Sequence, residues 1–107
     1  MKKHFSLVLL LVIVICLTAA AQRQGGGVAV SGLVVDRQER PAPGLAVFLV
    51  CQQGKNGPSI TDRYGHFLFT NIPSGQSYFI EVYWGRDLMY RQPIRVNADT
   101  NLGTIRL

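Results

Sequence analysis

Few side chains in this sequence can do chemistry. His66 is one of two histidines, the other being His4 in an apolar N-terminal stretch. It closes the run Thr61-Asp62-Arg63-Tyr64-Gly65-His66, with Ser59, Ser74 and Ser77 near it along the chain. A nucleophilic site needs a base hydrogen-bonded to a hydroxyl and steered by a third group, which is a matter of geometry, not of closeness in sequence. The same residues have a simpler use. Thr and Asp side chains bond the backbone of turns, and Gly65 supplies the positive φ that a tight hairpin requires. His66 is therefore read as scaffold, and no catalytic residue is assigned. One histidine and one cysteine, Cys51, without paired spacing do not make a four-ligand zinc site. Asp36, Asp62 and Asp87 are dispersed among turn residues, where capping of the turn accounts for them. No metal or cofactor is expected.

The elements that position these groups begin after a leader. Met1-Lys2-Lys3 is basic, Leu7 to Leu17 is almost wholly apolar, and Ala19-Ala20-Ala21 follows. A charged start, a short apolar core and small residues are the parts of a secretory signal peptide, here a signal helix cleaved after Ala21. The apolar run falls short of the roughly 20 residues that span a bilayer, so membrane contact is expected only through an uncleaved leader. Cys16 follows Val14-Ile15, where a lipid-anchored cysteine needs a small residue, and is not read as an anchor. Residues 22–27 are polar, end in three glycines and read as a flexible linker. Residues 28–107 form one small domain. With Cys16 gone, Cys51 has no partner for an intramolecular disulfide, so packing must supply the stability.

The formal charge of +5 overstates the basic character, because Lys2 and Lys3 belong to the leader. The remaining arginines are scattered, whereas nucleic-acid binders gather theirs on one face. No nucleic-acid partner is expected. From Val28 the pattern is strand and turn: Val28 to Val35, Leu45 to Cys51, His66 to Thr70, Tyr78 to Trp84, Leu88 to Val96 and Thr104 to Leu107. The stretch Gln52 to Ser59, with Gly54, Asn56-Gly57 and Pro58, reads as a loop containing Lys55. No helical period is present in the domain, and short strands at such spacing predict an all-β sandwich.

The ordered pieces Val30-x-Gly32-x-Val34-x-Asp36, Pro41-x-Pro43-Gly44-Leu45-x-Val47, Thr61-Asp62-x-x-Gly65-x-Phe67-x-Phe69, Ile72-Pro73-x-Gly75 and Tyr78-x-Ile80-x-Val82 resemble the carboxypeptidase regulatory-like domain. The closing Asn101-Leu102-Gly103-Thr104-Ile105-Arg106-Leu107 is similar to the last strand of that family. The resemblance covers residues 28–107 and implies a seven-stranded, transthyretin-like antiparallel β-sandwich. Two positions depart from the pattern: Glu39 where a glycine is usual, and Tyr64 where a small polar residue is usual. The enzyme branch of this fold, the hydroxyisourate hydrolases, carries a Tyr-Arg-Gly-Ser ending and several site histidines that this chain lacks. Adhesin domains of similar fold cross-link a first-strand lysine to an asparagine, a place that Lys55 does not occupy.

Strand parity then raises the question of function. If Leu45, Val47, Leu49 and Cys51 face the core, Phe48 and Val50 face outward. The same rule turns Leu33, Val35, Leu68, Phe79 and Tyr83 outward, although a sandwich strand with one wet face should carry polar residues there. Contiguous exposed apolar surface marks interaction sites. Arg86 and Tyr90 beside the Gly85 turn are of the types that anchor interfaces, while Trp84 has the parity of Ile80 and Val82 and is expected in the core. These residues predict a secreted or periplasmic accessory module, not an enzyme, that binds a protein partner or itself. The alternative is a carbohydrate-binding module using Tyr83, Trp84 and Tyr90.

Overall fold

The computed structural model describes residues 27–107; the expected signal helix and most of the linker lie outside them. The described chain is all-β, with seven strands in two packed sheets: β1 (Val28–Val35), β2 (Ala46–Cys51), β3 (Gly54–Ile60), β4 (His66–Ile72), β5 (Gln76–Trp84), β6 (Asp87–Val96) and β7 (Thr100–Arg106). One sheet has the order β4-β1-β7, the other β3-β2-β5-β6. All pairings are antiparallel except β1 with β7, which run parallel.

Alternation builds the core. Val30 and Val34 of β1, Phe67 and Phe69 of β4 and Ile105 of β7 face inward from one sheet; Val47, Leu49, Tyr78, Ile80 and Val82 meet them from the other. Gly32 shares this inner face because the Phe67 ring lies across it, and a Cβ at residue 32 would sit 2.6 Å from the ring. The buried phenol of Tyr78 donates to the Pro73 carbonyl at 3.0 Å, so its polar tip is satisfied within the core.

The stretch around His66 is a turn held by side chains. Asp62 Oδ1 accepts the N–H groups of Tyr64 and His66, each at 2.9 Å. Gly65 adopts φ 82° and lies so close to the Val34 carbonyl oxygen that any Cβ would collide with it. Buried Thr61 accepts from the Leu45 N–H and donates to the Ala42 carbonyl, tying the end of β3 to the start of β2.

The region read as the loop 52–59 is corrected. Only Gln52 and Gln53 form the turn, and Gly54–Ile60 pairs with β2 from Cys51↔Gly54 to Ala46↔Ile60. Lys55 is thus a strand residue opposite Val50. Turn-forming residue types yield here to pairing with β2, a tertiary context that overrides local preference. Val35, expected on the outer surface, is buried. The chain folds back after Asp36 so that Pro41 bridges Val35, and Leu107 donates its N–H to the Val35 carbonyl from the other side.

Candidate interaction face

The nine candidate surface residues do not share one surface. Leu33 and Leu68 lie on the outer side of β4-β1-β7, where β1 pairs Ser31 with Leu68 and Leu33 with His66. Their neighbours Ser31, His66, Thr70 and Thr104 are polar, so this side is an ordinary wet face with two leucines. Phe48, Val50, Phe79 and Tyr83 lie on the outer side of the other sheet. There β2 and β5 pair Phe48 with Glu81, Val50 with Phe79 and Ala46 with Tyr83, so these side chains stand in adjoining rows. Arg86 is exposed in the two-residue Gly85–Arg86 turn between β5 and β6. Tyr90 pairs with Val82 and therefore points to the inner side, half-buried against the core. Its expected surface role is corrected.

Trp84 reverses its expectation too. It is 59% exposed. A bulge between Val82 and Tyr83 breaks the register with β6, and beyond Val82 the strand has left the part of the core that would cover an even-numbered side chain. Trp84 lines a hollow of about 420 Å³ with Pro41, Pro43, Met89 and Leu107. Tyr83, Trp84 and Tyr90 consequently point to three different surroundings and form no common platform.

The outer face of β3-β2-β5-β6 carries a connected set of aromatic and ionic contacts. Phe48 and Tyr83 meet edge to face, with ring centroids 5.7 Å apart at 85°. Lys55 Nζ sits 4.6 Å from the Phe48 centroid and 5.6 Å from that of Tyr83. The Arg91 guanidinium lies 4.1 Å from the Phe79 centroid and bonds Glu81 through Nε at 3.3 Å. Glu81 also accepts the Tyr83 hydroxyl proton at 2.9 Å, and this bond pushes the phenol pKa up. A buried carboxylate is tolerated only when paired in this way. Arg91 was legible in the sequence as one of the aromatic and Arg residues around the Gly85 turn, whereas the place of Lys55 on this face depended on the pairing of β3 with β2 and was missed.

At one end this face opens into a hollow of about 670 Å³ lined by Val50, Phe79 and Pro93 together with Gln52, Gln53 and Gln76. Half-buried Cys51 borders it, with Sγ 3.3 Å from Gln53 Oε1. His66 is exposed on the opposite sheet, and the Asp62 carboxylate before it is engaged by backbone N–H groups. No group of three or more His, Cys, Asp or Glu that could hold a metal occurs among the described residues.

No protein-family model matches the chain, and no curated protein matches it. Solved structures do. The chain is similar to the Bacillus anthracis TIE protein, with TM-score 0.60 and 14% identity, covering 76% of this chain and 16% of that one. It is also similar to a D312A variant of BcpA, the major pilin subunit of Bacillus cereus, with TM-score 0.59 and 15% identity over 75% of this chain and 28% of that one. A streptococcal ancillary pilin gives TM-score 0.52 and 15% identity over 76% and 32%. This chain therefore spans less than a third of each of those proteins. At such identity the likeness establishes the β-sandwich fold and nothing finer.

Proposed function

We propose that the chain is a secreted or periplasmic, non-enzymatic β-sandwich module that acts by binding a protein partner or a second copy through the outer face of β3-β2-β5-β6. One observation carries the reading: Phe48, Val50, Phe79 and Tyr83 stand together on the outward side of a sheet whose outer positions would ordinarily be polar. The resemblance to carboxypeptidase regulatory-like domains supports an accessory role. Two of the structural neighbours are pilin subunits, which is in keeping with assembly between proteins. The leader, with cleavage after Ala21, supports export. The test is light scattering after size exclusion on the wild type and Phe48→Ser. Association that is lost in the variant supports the reading. An assembly that survives Phe48→Ser unchanged moves the interaction surface elsewhere, and a monomer in both retires the second copy as partner.

A glycan-binding reading is favoured by one observation, the 59% exposure of Trp84 above an apolar hollow. An exposed indole face stacks on a sugar ring. Titration with a soluble glucan would then quench the fluorescence of this single tryptophan; unchanged emission at millimolar glucan rejects the reading.

A further inference from the structure

We propose that the occupant of the outer face of β3-β2-β5-β6 is an acidic polypeptide segment carrying an apolar anchor, and not a second copy of this chain. The inference rests on the interaction-face reading above and specifies its partner. The register with β5 places Arg91 opposite Glu81, Pro93 opposite Phe79 and Arg95 opposite Ser77, so all three residues of β6 share this face. Lys55, opposite Val50, completes a frame of cations on both flanks of the aromatic rows. The one carboxylate of the face, Glu81, is already bonded to Arg91 and Tyr83. Among the described residues neither Lys55 nor Arg95 has a carboxylate partner within ion-pair distance. The face is thus apolar in its centre and positive at its borders.

That distribution selects among occupants. Two copies meeting through this same face would, by two-fold symmetry, bring one cationic frame against the other. Like charges set together across an interface oppose association. A segment bearing Asp or Glu reverses the sign of that term, since its carboxylates reach Lys55 and Arg95. The hollow between Val50, Phe79 and Pro93 takes an aromatic or leucine side chain, and the Gln52, Gln53 and Gln76 amides around it offer bonds to peptide groups.

The test is selection of a displayed library of random peptides, about twelve residues long, on the purified protein and on the exposed-site variant K55E/R95E. The expected result is enrichment of Asp and Glu around an aromatic or leucine. The selected peptides, measured by fluorescence anisotropy, should weaken by roughly tenfold or more in K55E/R95E and in Phe79→Ser, and further with added salt. Unchanged circular dichroism of the variants excludes misfolding as the cause. Enrichment without acidic residues, or no enrichment, overturns the proposal. So does a sulfated oligosaccharide that binds tighter than every selected peptide and depends on the same cations. If acidic selection fails while Phe48→Ser still abolishes assembly, the face stands and only its acidic occupant falls. If Phe48→Ser and Phe79→Ser both leave every association intact, the face itself falls.

Discussion

At the scale of single residues, two turns built on the same plan differ at one position. In each, an Asp side chain accepts the N–H groups two and four residues on: Gln38 and Arg40 for Asp36, Tyr64 and His66 for Asp62. The residue three past the Asp takes a left-handed conformation, Gly65 in one turn and Glu39, with φ 64°, in the other. The resemblance led to the expectation of a glycine at the place of Glu39, and the left-handed backbone there is one that glycine adopts without strain. A left-handed non-glycine costs about 1–2 kcal/mol, whereas its ion pair with Arg106 is exposed on both sides and contributes about 0–1 kcal/mol. Glu39→Gly is therefore expected to stabilise the protein by about 0.5–1 kcal/mol. The urea midpoint should rise at unchanged slope; a fall would mean that the Arg106 pair outweighs the strain. The two aspartates also set the acid response. The Arg40 N–H lowers the Asp36 pKa from 3.8, and the His66 N–H does the same for Asp62. A carboxylate depressed in the folded state contributes stability that is complete above its unfolded pKa and is lost as pH falls through the folded value. D36N/D62N keeps the Oδ1 acceptors and removes the titration. Its melting temperature should fall less steeply than that of the wild type below about pH 4, and parallel curves would refute the assignment.

At the scale of elements, the strand edges explain why binding is assigned to a face. A proline cannot donate to a ladder, so Pro93 within β6 must have its nitrogen on the side away from β5. The outward row of β6 thus reads Arg91, Pro93, Arg95, a missing donor between two charges, which is how sheet edges are kept from pairing with other chains. β3 carries Pro58. β4 has its Leu68 N–H taken by Ser59 Oγ at 3.2 Å, and β7 kinks at Gly103, whose N–H is taken by Asn101 Oδ1 at 2.8 Å. Pro93→Thr restores the outward donor and should promote association through the edge. Time-dependent light scattering that rises in the variant, and not in the wild type, is the expected outcome; equal scattering would show that the flanking arginines suffice. Six of the seven strands were legible because β-branched and aromatic runs alternate between Gly, Pro and Asn punctuation. β3 was not. Its Gly54-Lys55-Asn56-Gly57-Pro58 composition states a turn, and only pairing with β2, a tertiary fact, draws it into the sheet. Trp84 failed for a related reason: parity gives the side of the strand that a residue faces but not whether anything covers that end of it, and Trp84 is left 59% exposed over a hollow.

At the scale of the whole molecule, alternation tells which side of a strand is buried but not which sheet the strand enters. Strands β1, β4 and β7 form one sheet and β2, β3, β5 and β6 the other, an allocation set by loop closure and long-range pairing that no local window contains. Leu33 and Leu68 therefore looked equivalent to Phe48 and Phe79 along the sequence, yet the fold puts the two sets on opposite outer faces. That separation yields a paired prediction. Leu68 is 58% exposed among polar neighbours, so Leu68→Ser should change stability by less than about 0.5 kcal/mol and leave association untouched. Phe79 is 39% exposed, but Arg91 lies over its ring beside the paired Glu81. Phe79→Ser should cost about 0.5–1 kcal/mol from the lost cation–π contact and also weaken binding at that face by roughly tenfold or more. Urea midpoints and the association assay, run on both variants, separate the two effects. A loss of association in Leu68→Ser would place the working surface on β4-β1-β7, where the polar surroundings of the two leucines give no physical reason for it to be.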